Sequence, residues 1–152
     1  MVELIKRENT IFEVLRKFSE EKLDFVIVRG YAVSAYKHRF SVDVDIVIKN
    51  EDKSKFENIL KKNKFEKTII KILDHVYAKE FVRYETKDKF PVSIDILIEG
   101  IGSRTTNALF SINELKDNSE ERLIKGIEKE VYALIPDKEF RWFPNKPACA
   151  LF

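Results

Sequence analysis

Two aspartates one residue apart, Asp43 and Asp45, lie in the apolar run of residues 42–48, and a third, Asp95, lies in the apolar run of residues 92–98. These are the side chains in this sequence best suited to chemistry. A strand sends residues i and i+2 to one face, so Asp43 and Asp45 stand side by side, roughly 7 Å apart along the strand. Val42, Val44, Ile46 and Ile48 take the opposite face, and Val47 continues the aspartate face. Apolar residues on both faces suit a central, covered strand. Neighbouring carboxylates on such a strand repel each other and resist desolvation. A divalent cation is the commonest reason for them. The plain alternative is a solvated strand face, which alternating Asp often marks. Asp95 taken alone reads equally as a satisfied polar group at a strand end. If its strand neighbours the first, at about 4.8 Å, three carboxylates converge. Their hard oxygens suit Mg²⁺ or Mn²⁺ and can hold two ions. Two such ions clamp a triphosphate and activate a hydroxyl.

The elements that must position these groups follow from periodicity. Residues 25–28, Phe-Val-Ile-Val, read as a strand running into Arg29 and Gly30. Gly30 permits a sharp turn, where backbone N–H groups can face a phosphate. Residues 31–36 make one or two helical turns, followed by the basic loop Lys37, His38 and Arg39. Upstream, Leu4, Ile5, Ile11, Phe12, Val14, Leu15 and Phe18 have helical spacing, which predicts a helix from Ile5 or Thr10 to Lys22. Asn50 is placed to cap a helix over residues 51–63, with Phe56, Ile59 and Leu60 buried. Strands are expected at residues 68–73, 76–85 and 92–98, the last ended by Gly100 and Gly102. Residues 107–115 read as helical, residues 118–121 open a short element, and residues 130–135 form a last strand stopped by Pro136. This order predicts an α/β (α+β) domain, a mixed sheet with helices packed on it. Residues 31–36 are too short for a parallel crossover, so the strands on either side are expected to be antiparallel or splayed.

Composition narrows the classes. A chain of 152 residues makes one domain with a sizeable core. A net charge of +2 excludes a strongly basic nucleic-acid coat and leaves room for a local patch. The single cysteine, Cys149, forbids an intrachain disulfide and fits a reducing cytoplasm. No apolar run approaches a membrane span, so no membrane partner is expected. The absence of Gln and the density of Lys, Glu and Ile resemble thermophile usage. There is no Cys/His zinc spacing, no Ser-His-Asp order and no P-loop.

The segments Val28-Arg29-Gly30-Tyr31-Ala32-Val33, Arg39-Phe40-Ser41-Val42-Asp43-Val44-Asp45 and Ser93-Ile94-Asp95 together resemble the minimal nucleotidyltransferases of the DNA polymerase β superfamily, nearest their AbiEii-type branch. The resemblance spans about residues 6–139. It implies a nucleotidyltransferase-like fold that moves an NMP from an NTP to a hydroxyl on a protein, an RNA or a small molecule. It implies two Mg²⁺ or Mn²⁺ ions on Asp43, Asp45 and Asp95, with Asp95 orienting or deprotonating the attacking hydroxyl. Arg29, Gly30, Tyr31, Arg39 and Ser41 fall on the nucleotide-binding positions. Ser41 stands where the family has Thr, and Tyr31 where it has Gly or Ser, a ring that would crowd a phosphate. For Lys37 and Arg39 a solvated loop charge is the competing reading, and His38 reads as a surface histidine. The same branch suggests a toxin paired with an antitoxin protein. Residues 1–139 form the domain on this reading, and residues 140–152 an atypical tail in which Pro144 and Pro147 forbid a continuous helix. The tail suggests a truncated or frame-shifted helical half. The alternative function is a catalytically impaired nucleotide- or partner-binding module of the same fold, oligomeric through that tail.

Overall fold

The computed structural model of the chain describes residues 2–35, 43–72, 80–102 and 109–137. The described residues form four helices, α1 (Val2–Glu20), α2 (Arg29–Ser34), α3 (Lys53–Lys62) and α4 (Ile112–Asp117), and nine strands. The strands are β1 (Phe25–Val28), β2 (Asp43–Ile48), β3 (Phe65–Ile72), β4 (Glu80–Thr86), β5 (Ser93–Ile98), β6 (Gly100–Gly102), β7 (Leu109–Ser111), β8 (Ser119–Lys125) and β9 (Glu130–Pro136). Seven of them form one mixed sheet in the order β3-β4-β5-β2-β1-β9-β8, and β6 and β7 pair separately. The fold is therefore the expected α/β (α+β) class. Strands β1 and β2 are antiparallel, with Val28 opposite Asp45, as the short connection requires.

The alternation of side chains along each strand divides the interior into two layers. On one face Ile27, Val44, Ile46, Ile48, Ile94, Ile96 and Ile98 meet α1 and α3 in the larger core. Phe18, Phe25 and Phe56 pack edge-on there, with ring centroids 4.8–6.2 Å apart, the arrangement that aromatic quadrupoles favour. The other face carries Val26, Val28, Val47 and Leu97. Ile101, Phe110, Ile112 and Leu115, from β6, β7 and α4, cover it. The chain reaches that cover through Glu99, whose φ of 72° turns it sharply out of β5. Glu99 fixes the turn by donating its N–H to the Ile48 carbonyl at 2.8 Å and accepting from the N–H of Ile112 at 2.8 Å.

Several local expectations are corrected. The sharp turn after β1 is made by Arg29 at φ 61°, not by Gly30; no glycine has positive φ. Asn50 does not cap α3: its N–H donates to Glu99 Oε1 at 3.0 Å, and a short 3₁₀ turn, Asn50–Asp52, leads into the helix without a side-chain cap. The strand of residues 92–98 does end at Ile98, but it is the left-handed Glu99 that turns the chain, and Gly100 and Gly102 go on to form β6. Residues 109–111 are strand rather than helix, and α4 starts later, behind a capping box made by Ser111 and Glu114. The element opening at residue 119 is an edge strand. The first helix begins earlier, at Val2, and Arg7 in its second turn donates to the Pro91 carbonyl at 2.8 Å. The tail of residues 140–152 lies outside the described residues, as do Lys37, His38, Arg39 and Ser41.

The β8–β9 hairpin is keyed to α1 through Glu8, which is 1% exposed. Glu8 Oε1 accepts from the N–H of Ile127 at 2.8 Å. A Cβ on the neighbouring Gly126 would lie 2.3 Å from Glu8 Oε1 and 2.8 Å from the Phe12 ring. Gly126→Ala is therefore expected to destabilise the fold by about 1–3 kcal/mol. Combined with Glu8→Ala, the loss measured by urea unfolding should fall short of the sum of the single losses, because the shorter of the two clashes has then been removed and only the Phe12 contact remains.

Candidate active site

Strands β2 and β5 run parallel and in register, pairing Asp43 with Ser93 and Asp45 with Asp95. Partners across a parallel pair point to the same face, so Asp43, Asp45 and Asp95 share one side of the sheet. The antiparallel neighbours extend the row that contains Asp45. Arg83 of β4 lies beside Asp95, and Val28 of β1 lies beside Asp45. One step further along the strands the same face carries Phe81, Leu97, Val47 and Val26, under the cover of β6, β7 and α4. The carboxylates thus stand where the apolar cover stops. Asp43 is exposed at the start of β2, whereas Asp45 and Asp95 are only 6% and 2% exposed.

Two arginines answer this charge. Arg83 grips Asp95 with both prongs: Nε donates to Oδ1 at 2.7 Å and Nη2 to Oδ2 at 3.1 Å. Such paired, charge-assisted bonds are the strong class of side-chain contact. The guanidinium carbon also lies 5.8 Å over the Phe81 ring, which fixes its plane. Arg29 reaches Asp45 more loosely, from Nη1 to Oδ1 at 3.5 Å, with half of its side chain in solvent. The left-handed backbone at Arg29 sets the direction of that side chain, a conformation that costs an L-residue about 1–2 kcal/mol. Burial pushes the Asp45 carboxyl up to about 7, Arg29 pulls it back, and the charges of Asp95 and Asp43 raise it further.

Tyr31 is buried in the larger core, 1% exposed, its ring edge-on to Phe12 at 5.9 Å. The bulk that would crowd a phosphate is therefore packed inward, which leaves the backbone of Gly30 and Tyr31 beside Arg29. Burial, Glu8 and Asp43 all push the Tyr31 hydroxyl well above the ordinary tyrosine range. Arg83 was not among the residues singled out from the sequence. Its only signal is the alternation of Phe81, Arg83 and Glu85 against Val82 and Tyr84, which acquires meaning once the β4–β5 register is known.

Among the described residues no group of three or more His, Cys, Asp or Glu side chains is drawn together closely enough to hold a metal ion. Both oxygens of Asp95 are engaged by Arg83. The donor chemistry nevertheless fits a hard divalent cation. Three carboxylates share one face, and the negative charge of Asp95 and Asp43, which adds to burial in favouring a proton on Asp45, is one that a cation would relieve.

No protein-family model matches the chain, and no curated protein matches it in sequence. Among solved structures, the chain is similar to a Thermotoga maritima protein provisionally named a nucleotidyltransferase. That match has 10% identity and a TM-score of 0.55, over 86% of this chain and 78% of the other. It is also similar to the lincosamide antibiotic adenylyltransferase LnuA in its lincomycin-bound form, at 15% identity and a TM-score of 0.53, over 87% of this chain and 81% of the other. At these identities the likeness establishes a nucleotidyltransferase-like fold. Among the described residues no helix is long and apolar enough to cross a membrane.

The raised carboxyl has a thermodynamic signature. The folded state keeps the Asp45 proton to about pH 7, while the unfolded chain releases it near the ordinary aspartate value of 3.8. Between these values the unfolded state binds fewer protons, so this group's contribution to stability falls as pH rises from about 4 to about 7. With divalent ions chelated, Asp45→Asn should raise the melting temperature at pH 8 by about 5 °C, and the gap should close towards pH 4. Melting curves of the two proteins across that range check both the sign and the window.

Proposed function

We propose that the chain is a nucleotidyltransferase, moving a nucleoside monophosphate from an NTP to a hydroxyl acceptor with divalent metal assistance. The observation that carries this reading is the register of Asp45 beside Asp95, with Asp43 on the same face at the open margin of the apolar cover. The nucleotidyltransferase-like fold supports it. Asp43, Asp45 and Asp95 would hold Mg²⁺ or Mn²⁺. The ions, when bound, supply countercharge to the triphosphate and the departing pyrophosphate and acidify the acceptor hydroxyl. Asp95, one strand across from Asp45, orients that hydroxyl and accepts its proton. Arg29 offers a guanidinium at the end of β1 where a phosphate would lie, and the backbone at Gly30 and Tyr31 lies next to it. Arg39 and Ser41 are assigned to the phosphates by resemblance.

LnuA is named for adenylylating a lincosamide antibiotic, which supports the small molecule among the three acceptor classes, protein, RNA and small molecule, to test here. The AbiEii-type resemblance adds an antitoxin protein as a partner to seek by co-purification. The test incubates the protein with Mg²⁺ and each labelled NTP, alone and with pooled RNA, protein and lincosamide-type acceptors, and follows pyrophosphate release and label transfer. Turnover that falls by at least about 100-fold in both Asp43→Asn and Asp45→Asn is the expected outcome. NTP binding by calorimetry without turnover on any acceptor class would instead identify a binding module.

A further inference from the structure

The same strand register that gathers the carboxylates also delivers a competitor for them. Arg83 is the direct cross-strand neighbour of Asp95. It engages both oxygens of that carboxylate, at 2.7 and 3.1 Å, so none is left without a guanidinium partner. A guanidinium cannot discharge itself by losing a proton, so Asp95 becomes available to another cation only when Arg83 swings away. The geometry leaves it somewhere to go. One third of the Arg83 side chain is in solvent, against 3% of Asp95. The two arginines are unequal: Arg29 makes a single contact of 3.5 Å to Asp45 and is half exposed, a pairing of the weak, screened kind.

We propose that Arg83 is a resident cation that closes the acidic site, and that a divalent ion binds Asp95 only by displacing it. The inference rests on the metal-assisted reading of the site. Arg83 and the ion exclude each other, so each weakens the other's hold on Asp95 by the same factor. The protein then exists in a closed form, with Asp95 paired to Arg83, and an open form, with Asp95 turned to the ion. In the closed form the third carboxylate is out of use however much nucleotide is present. Arg83 is a gating residue on this view, acting through Asp95 and not on the substrate.

The test measures Mn²⁺ alone, by calorimetry and by the free-ion electron paramagnetic signal, on the full chain and on Arg83→Gln, Arg83→Lys and Arg29→Gln. Arg83→Gln should bind Mn²⁺ at least about tenfold more tightly than the natural protein. Arg83→Lys, which keeps the charge and loses the fork, should fall between them. Arg29→Gln should change the affinity by less than about threefold. In the unaltered protein, a Mg²⁺ titration should move the ¹⁵N resonance of Arg83 Nε–H and expose that proton to solvent exchange, which decides the matter even if Arg83→Gln fails to fold. Unchanged or weaker binding by Arg83→Gln, or an Arg83 Nε–H resonance unmoved at saturating Mg²⁺, overturns the gate and leaves the metal reading standing. No Mn²⁺ binding by any of these proteins overturns both.

Discussion

The parallel pairing of β2 with β5 is the constraint on which the rest of the molecule depends. It sets Asp45 level with Asp95 and, by the same register, Ile46 level with Ile96 and Ile48 with Ile98. A slip of one residue would turn the carboxylates into the larger core and expose its isoleucines, since strand faces alternate with a period of two. The isoleucine stack under α1 and α3 therefore enforces the acidic row on the opposite face. The hydrophobic effect holds the like charges together, and the arginines on either side, Arg83 from β4 and Arg29 from the end of β1, keep the arrangement tolerable. Both cations reach the site through backbone geometry: Arg83 through cross-strand register, Arg29 through a left-handed turn.

Much of this was legible in the residues. The alternation of Val44, Ile46 and Ile48 against Asp43, Asp45 and Val47 stated which side each would take, and the burial of Asp45 within β2 agrees. The β1–β2 connection was too short for a parallel crossover, which left antiparallel or splayed strands, and the pair is antiparallel. The local errors have a common cause, the override of residue preference by tertiary contacts. Gly30 looked like the turn residue, yet Arg29 takes the left-handed conformation, stationed beside Asp45. Asn50 looked like a cap, yet its N–H is claimed by Glu99, which lies far along the chain and is brought near by the β2–β5 pairing. Residues 109–111 had helical spacing, yet β6 supplies a strand partner. The capping box of Ser111 and Glu114 stands in the sequence at a spacing of three, yet the helical reading of residues 107–115 ran through it.

Arg83 marks the limit of a linear reading. One arginine in a strand of alternating character is unremarkable until the opposite strand is known to carry a buried carboxylate at the matching position. The composition, nearly balanced between acid and base, hides such pairs because both partners are common. Aligning β4 and β5 by their apolar faces, Val82 with Ile96 and Tyr84 with Ile94, yields the pair. Sheet register thus carries information about chemistry as well as about packing.

The sheet order has a consequence for synthesis. Strand β1, at the heart of the sheet, has β2 on one side and β9 on the other, and Val26 meets Leu134 more than a hundred residues later in the chain. While the ribosome is still making the middle of the protein, β1 has one neighbour and an open row of amides and carbonyls on its other edge. The domain can therefore close only after β9 has emerged. Until then the nascent chain carries an apolar, unpaired strand end, the kind of surface that holding chaperones shelter.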